Sequence, residues 1–70
     1  MPVDIQKLVE DLQRKLRDKT DYFIQKEKEL EKNLKNGLIT ADLYQQGRTD
    51  LRRVQDEIVE VREQIRGYLA

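Results

Sequence analysis

Cysteine, histidine, serine and tryptophan are all missing from this chain, and 70 residues contain one proline and three glycines. Without cysteine there is no disulfide and no thiolate metal site, and a reducing cytoplasm is the expected compartment. Without histidine the usual general base and commonest metal ligand are gone. No apolar run approaches the ~18 residues of a membrane span, and Met1-Pro2-Val3-Asp4 does not read as a signal peptide. Neither sign of charge prevails either: 14 basic residues balance 14 acidic ones. A zero balance argues against general affinity for nucleic acid or anionic membrane.

What is present is charge, 40% of residues, together with 37% apolar residues in a strict pattern. Pattern and balance separate the chain from disordered sequences of similar polarity. A chain this short makes one domain, and its core alone rarely supplies more than ~3–5 kcal/mol. Disulfides being excluded, and no metal site being legible, association is the expected remedy.

The internal punctuation is Asn36-Gly37-Leu38-Ile39-Thr40. Gly37 reads as the left-handed residue ending a first helix. Thr40 reads as the N-cap of a second, and Asp42 suits the positive end of its dipole. Ile39 and Tyr44 occupy the positions of a hydrophobic staple. The expected fold is all-α: an antiparallel, coiled-coil-like hairpin with helix 1 over about 4–36, a turn at 37–39 and helix 2 over about 40–67. Gly67 should loosen the last turn.

In helix 2, Tyr44, Gly47, Leu51, Val54, Ile58, Val61, Ile65 and Tyr68 recur at alternating steps of three and four. That is an unbroken heptad seam. Helix 1, capped by Asp4, begins amphipathic through Ile5, Leu8, Val9, Leu12 and Leu16. Val9, Leu16, Phe23 and Leu30 then repeat every seven residues, but the alternate positions are Lys19, Lys26 and Asn33. The stretch from Arg17 to Glu29 should therefore pack least tightly. Glu10–Arg14, Asp11–Lys15 and Glu31–Lys35 are acid-first i,i+4 pairs that support the helix. Folding about Gly37–Leu38 sets residues whose numbers sum to roughly 77 opposite each other, with Leu30 on Gly47, Phe23 near Leu51 and Val54, Leu16 near Ile58 and Val61, and Leu12 near Ile65.

Two helices cover one stripe on each and leave the stripe edges wet. Leu8, Ile24, Leu43, Val59 and Leu69 flank the seam. With Tyr44, Leu51, Val54, Ile58, Val61, Ile65 and Tyr68, the first four of these make the candidate interface for oligomerisation or for another helical protein. A two-fold dimer forming a four-helix bundle is the simplest outcome.

No enzyme is expected. Nucleophilic catalysis would have to use Thr20, Thr40, Thr49 or a lysine with no imidazole beside it. Glu57, Glu60 and Glu63 read as a solvated face, not as a di-metal cluster, which needs histidine as well. No cofactor and no metal are expected. Arg48/Arg52 and Arg62/Arg66 are like-charged i,i+4 pairs, costly to a helix unless acids lie nearby. They are candidate nucleic-acid contacts; neutralisation by Asp50, Asp56, Glu63 or the other helix is the plainer reading.

Leu34-Lys35-Asn36-Gly37-Leu38-Ile39-Thr40, followed by Tyr44 and Leu51, resembles the SHOCT module, a short helical element found near bacterial protein termini. The resemblance covers about residues 30–51. It implies an oligomerisation or protein-interaction element without catalytic residues. Leu43 stands where that motif usually has an acid, and both helices here are longer. The expected function is a small structural or regulatory interaction module, with a nucleic-acid-binding regulator and a hetero-complex subunit or chaperone as alternatives.

Overall fold

Side-chain caps open both helices. In the computed structural model, which describes residues 4–70, the Asp4 carboxylate accepts from the Lys7 N–H at 3.2 Å and α1 (Ile5–Lys35) follows. The opening Met1-Pro2-Val3, on which the absence of a signal peptide was argued, lies outside the described residues. The Thr40 hydroxyl accepts from the Leu43 N–H, also at 3.2 Å, and starts α2 (Ala41–Leu69), with Asp42 in its first turn. Each cap satisfies one of the four N–H groups a helix start leaves without a partner.

Between the helices Gly37 takes φ +71°, and the turn is closed by two reversed bonds. The Gly37 N–H donates to the Leu34 carbonyl at 3.1 Å and the Leu38 N–H to the Asn33 carbonyl at 2.8 Å. This is a Schellman closure, with Lys32 and Lys35 near the negative end of the dipole. Its usual apolar clasp is missing: Asn33 stands where Leu38 would find a partner, and Leu38 remains 70% exposed.

At its far end α2 outlasts the expected boundary at 67 and runs to Leu69, with the Ala70 N–H bonded to the Arg66 carbonyl at 2.9 Å. One glycine costs about 1 kcal/mol against alanine, which lowers helix stability without ending the helix.

The two helices pack antiparallel into a rod of 56 × 18 × 15 Å, the all-helical hairpin that the heptad seam and the turn imply. Three contacts give the register. Leu30 lies over Gly47, Lys19 Nζ reaches Glu57 at 2.6 Å, and Arg48 reaches Glu27 at 3.1 Å. All agree with facing residues that sum to roughly 77. The interior is thin. Val9, Leu51, Ile58 and Val61 are buried, while Leu12, Leu16, Phe23, Leu30, Tyr44, Val54 and Ile65 are only half-buried.

In α1 Val9 alone is buried among the described residues, so the stretch from Arg17 to Glu29, expected to pack least tightly, buries no fewer side chains than 10–16 or 30–35. Its seam lysines adapt in different ways. Lys19 crosses to Glu57, whereas Lys26 pairs with Glu29 at 3.5 Å and lies 5.8 Å from the Tyr22 ring centroid. Their stems lie along the seam while the ammonium groups reach its edge. The acid-first pairs Glu10–Arg14, Asp11–Lys15 and Glu31–Lys35 do not close to 4.0 Å among the described residues. On an open helix surface, holding two long side chains together costs as much entropy as the contact returns.

Candidate functional site

The heptad positions on either side of the seam divide the rod into two broad faces. On one, the α1 row Gln13, Thr20, Glu27 and Leu34 stands beside the α2 row Arg48, Gln55, Arg62 and Leu69; the Arg48–Glu27 pair bridges them. On the other, Leu8, Lys15, Tyr22 and Glu29 stand beside Leu43, Asp50, Glu57 and Gln64. Shallow grooves run along both. On the first face Arg48 and Arg52 flank Phe23 and Leu51, and Arg62 and Arg66 flank Leu16, Ile65 and Leu69. On the second, Tyr22, Lys26 and Asp50 border Leu30, Gly47 and Val54.

The residues expected at a partner interface divide three ways. Leu51, Ile58 and Val61 are buried inside the hairpin, and Tyr44, Val54 and Ile65 are half-buried along the same seam. The apolar area of the three buried residues is consumed within the chain, which corrects their assignment to a surface for another molecule, while the half-buried three keep part of theirs at the seam's edge. The reason is length: α1 is long enough to cover the α2 seam over most of its course. Tyr68, at the end of that seam, stays exposed. Leu8 (half-buried) and Leu43 (exposed) belong to the second face, where the exposed Tyr22 joins them. Exposed Val59 shares its heptad row with Arg52 and Arg66, and Ile24 lies between the positions of Thr20 and Glu27, so both border the first face. The flanking apolar residues therefore form two surfaces, not one.

The arginines are also less neutralised than expected. Arg48 pairs with Glu27, but among the described residues no carboxylate lies within 4.0 Å of Arg52, Arg62 or Arg66. Asp50, Asp56 and Glu63 were candidates to neutralise them. Asp50 instead lines the opposite face, and Asp56 and Glu63 stand on the outer side of α2. Asp50 is two residues from both Arg48 and Arg52, roughly 200° round the helix, and so points away from them. Asp56, four residues from Arg52, and Glu63, three from Arg66, lie one turn away, yet no ion pair closes among the described residues.

One carboxylate of the solvated face also meets the other helix. Glu57 is part-buried and its carboxylate accepts from Lys19 Nζ. That hydrogen bond and the lysine's charge hold its pKa below the ordinary glutamate range; burial opposes the shift, and Arg53 and Lys15 add to it. Pairing by the roughly-77 rule was the signal that could have found this partner.

The three threonine hydroxyls are engaged with backbone. Thr20 and Thr49 donate to the carbonyls of Leu16 (2.8 Å) and Gln45 (3.0 Å), and Thr40 serves as the cap. Among the described residues no three carboxylates gather as a metal site, and no helix is long and apolar enough to cross a membrane.

No protein-family model matches the chain, no curated protein is significantly similar to it, and no solved structure resembles it at that level.

Proposed function

We propose that the chain is a small non-catalytic protein–protein interaction module, acting in the cytoplasm, whose hairpin supplies two helices to a larger helical assembly. The observation that carries this reading is the mismatch between a thin interior and a well-marked apolar surface. Among the described residues four are buried, whereas Ile5, Tyr22, Ile24, Leu38, Leu43, Val59 and Leu69 stay largely exposed on a rod of two helices. Scattered apolar side chains need no partner; exposed ones that share a face, Tyr22 with Leu43 and Ile24 with Val59, support one. The likeness of residues 30–51 to the SHOCT module supports the same role.

Self-association as a two-fold dimer, an antiparallel four-helix bundle, is the simplest form. Two-fold symmetry brings a face onto itself. The proposed contact is the face where Leu8, Tyr22 and Leu43 lie among charges of both signs, since a two-fold that lays α2 on α2 through the other face would bring its arginines together. Sedimentation equilibrium with circular dichroism melts at several concentrations tests it. A dimer whose melting temperature rises with concentration is expected. A monomer at micromolar concentration with a concentration-independent cooperative melt would overturn self-association.

A further inference from the structure

Charge on α2 is close to balanced, five arginines against six acids, but segregated around the helix. The rows Gln45, Arg52, Val59, Arg66 and Ala41, Arg48, Gln55, Arg62, Leu69 contain four arginines and no acid. The acids of α2, Asp42, Asp50, Asp56, Glu57, Glu60 and Glu63, all fall on other rows. The arginines come as a repeat, Arg48-Thr49-Asp50-Leu51-Arg52 and Arg62-Glu63-Gln64-Ile65-Arg66, offset by two heptads. That offset is ~21 Å along the helix at 1.5 Å per residue. In each copy the central apolar residue enters the seam and the two arginines flank an open groove between α1 and α2. Like charges four residues apart cost helix stability; Glu27 pairs with Arg48, and Asp56 and Glu63 lie one helical turn from Arg52 and Arg66 without closing an ion pair.

Resting on the reading of this chain as an interaction module, we infer that the arginine face docks an acidic amphipathic helix from another protein, seated in the groove as a third helix. Leu16, Ile65 and Leu69 under the second arginine pair form an apolar floor for its leucine-type residues, while the groove beside the first pair, over the buried Leu51, is lined mostly by polar side chains. The guanidinium groups along one wall meet carboxylates two heptads apart on the partner, the way flanking charges select partners in coiled coils. The opposite wall, on α1, carries Glu10, Glu27 and Glu31 with Arg17, so the partner is acidic on its α2-facing flank and neutral or basic on the other. A phosphate backbone fits less well. It has no use for the apolar floor and is repelled by those α1 glutamates.

The test uses the full chain and a synthetic labelled 28-residue helix with leucine along its seam, glutamate along one flank and glutamine along the other. A twin peptide carries lysine in place of glutamate. Fluorescence anisotropy at low salt should show binding of the acidic peptide only, weakened by roughly tenfold or more in Arg52→Gln/Arg66→Gln and also weakened in Leu69→Gln. Neutralising two charges on the opposite face, Lys15→Gln/Arg53→Gln, should leave binding unchanged, and circular dichroism should show all variants equally helical. The inference is overturned if neither peptide or both peptides bind, or if the two charge-neutralised pairs lose affinity alike. It also falls if duplex DNA or hairpin RNA binds through Arg52 and Arg66 while the acidic peptide does not. Sedimentation of Arg52→Gln/Arg66→Gln separates the second copy as occupant: loss of a wild-type dimer in that variant would place a second chain on this face and overturn the inference. A wild-type monomer that binds the acidic peptide would support it while removing self-association.

Discussion

Leu30 lies so directly over Gly47 that a Cβ built on the glycine would stand 2.5 Å from one Leu30 methyl carbon and 2.8 Å from the other. The contact comes just past the turn, where the helices first meet, and it allows their backbones close approach. Gly67, also helical, has nothing within 4 Å of the same built atom.

The two glycines therefore respond differently to alanine. Gly67→Ala should gain up to about 1 kcal/mol from helix propensity, less because it lies in the last turn. Gly47→Ala makes the same gain but displaces the whole Leu30 isobutyl group, and a net loss of about 1 kcal/mol is expected from such overpacking. In a Leu30→Ala background the Gly47→Ala change should become stabilising. Urea melts of the four variants read the coupling, and equal stabilisation at both glycines would refute the close contact.

At the turn, Gly37→Ala places a Cβ in the left-handed region and should destabilise by ~1 kcal/mol, with Gly37→Asn milder because asparagine tolerates that conformation. Thr40→Ala should cost another ~1 kcal/mol by removing the cap on the Leu43 N–H, whereas Thr40→Ser should cost little. A Thr40→Ser variant as weak as Thr40→Ala would show that the hydroxyl is not the stabilising group.

The Lys19–Glu57 pair predicts an acid-side loss of stability. The folded carboxylate keeps its charge at lower pH than the unfolded chain's, whose ordinary value is near 4.5, so unfolding takes up a proton between the two. The pair's contribution is full above the ordinary value and disappears as pH falls through the lowered one. Denaturant midpoints for wild type and Glu57→Gln should therefore differ at neutral pH and converge in acid, with high salt narrowing the gap. A constant gap from neutral pH to pH 2 would mean that Glu57 acts through packing and not charge.

Leu51 is 4% exposed in a core with few members. Leu51→Ala should cost ~2–5 kcal/mol, comparable to everything so small a core supplies, and leave the chain largely unfolded at 25 °C by circular dichroism. Leu38→Ala, at the exposed tip, should leave helicity unchanged. Full helicity in Leu51→Ala would show that stability comes from association and not from the hairpin.

Self-association through the second face has its own variants. Tyr22→Glu/Leu43→Glu should shift a dimer to monomer in sedimentation while Ile24→Glu/Val59→Glu, on the arginine face, should not. The reverse pattern would assign the dimer to the arginine face.

Much of the hairpin is legible because its signals are local. Asp4, Gly37 and Thr40 act on backbone groups within a few residues of themselves, and the heptad row from Tyr44 to Tyr68 marks the α2 stripe without reference to anything distant. Register follows from the turn alone, which is why Leu30 could be set on Gly47 by counting. The end of α2 was harder, since Gly67 weakens a helix without terminating it.

What tertiary structure alone decided is which facing residues close on each other and how much of each is left exposed. Heptad position and the turn say which residues can meet; the packed pair shows that Glu27 closes on Arg48 and Lys19 on Glu57, while among the described residues no carboxylate closes on Arg52, Arg62 or Arg66. Burial inside the chain likewise takes Leu51, Ile58 and Val61 and leaves Ile24, Val59 and Leu43 exposed. Composition sums charges over the whole molecule, whereas a partner meets one face at a time, within a Debye length of ~10 Å.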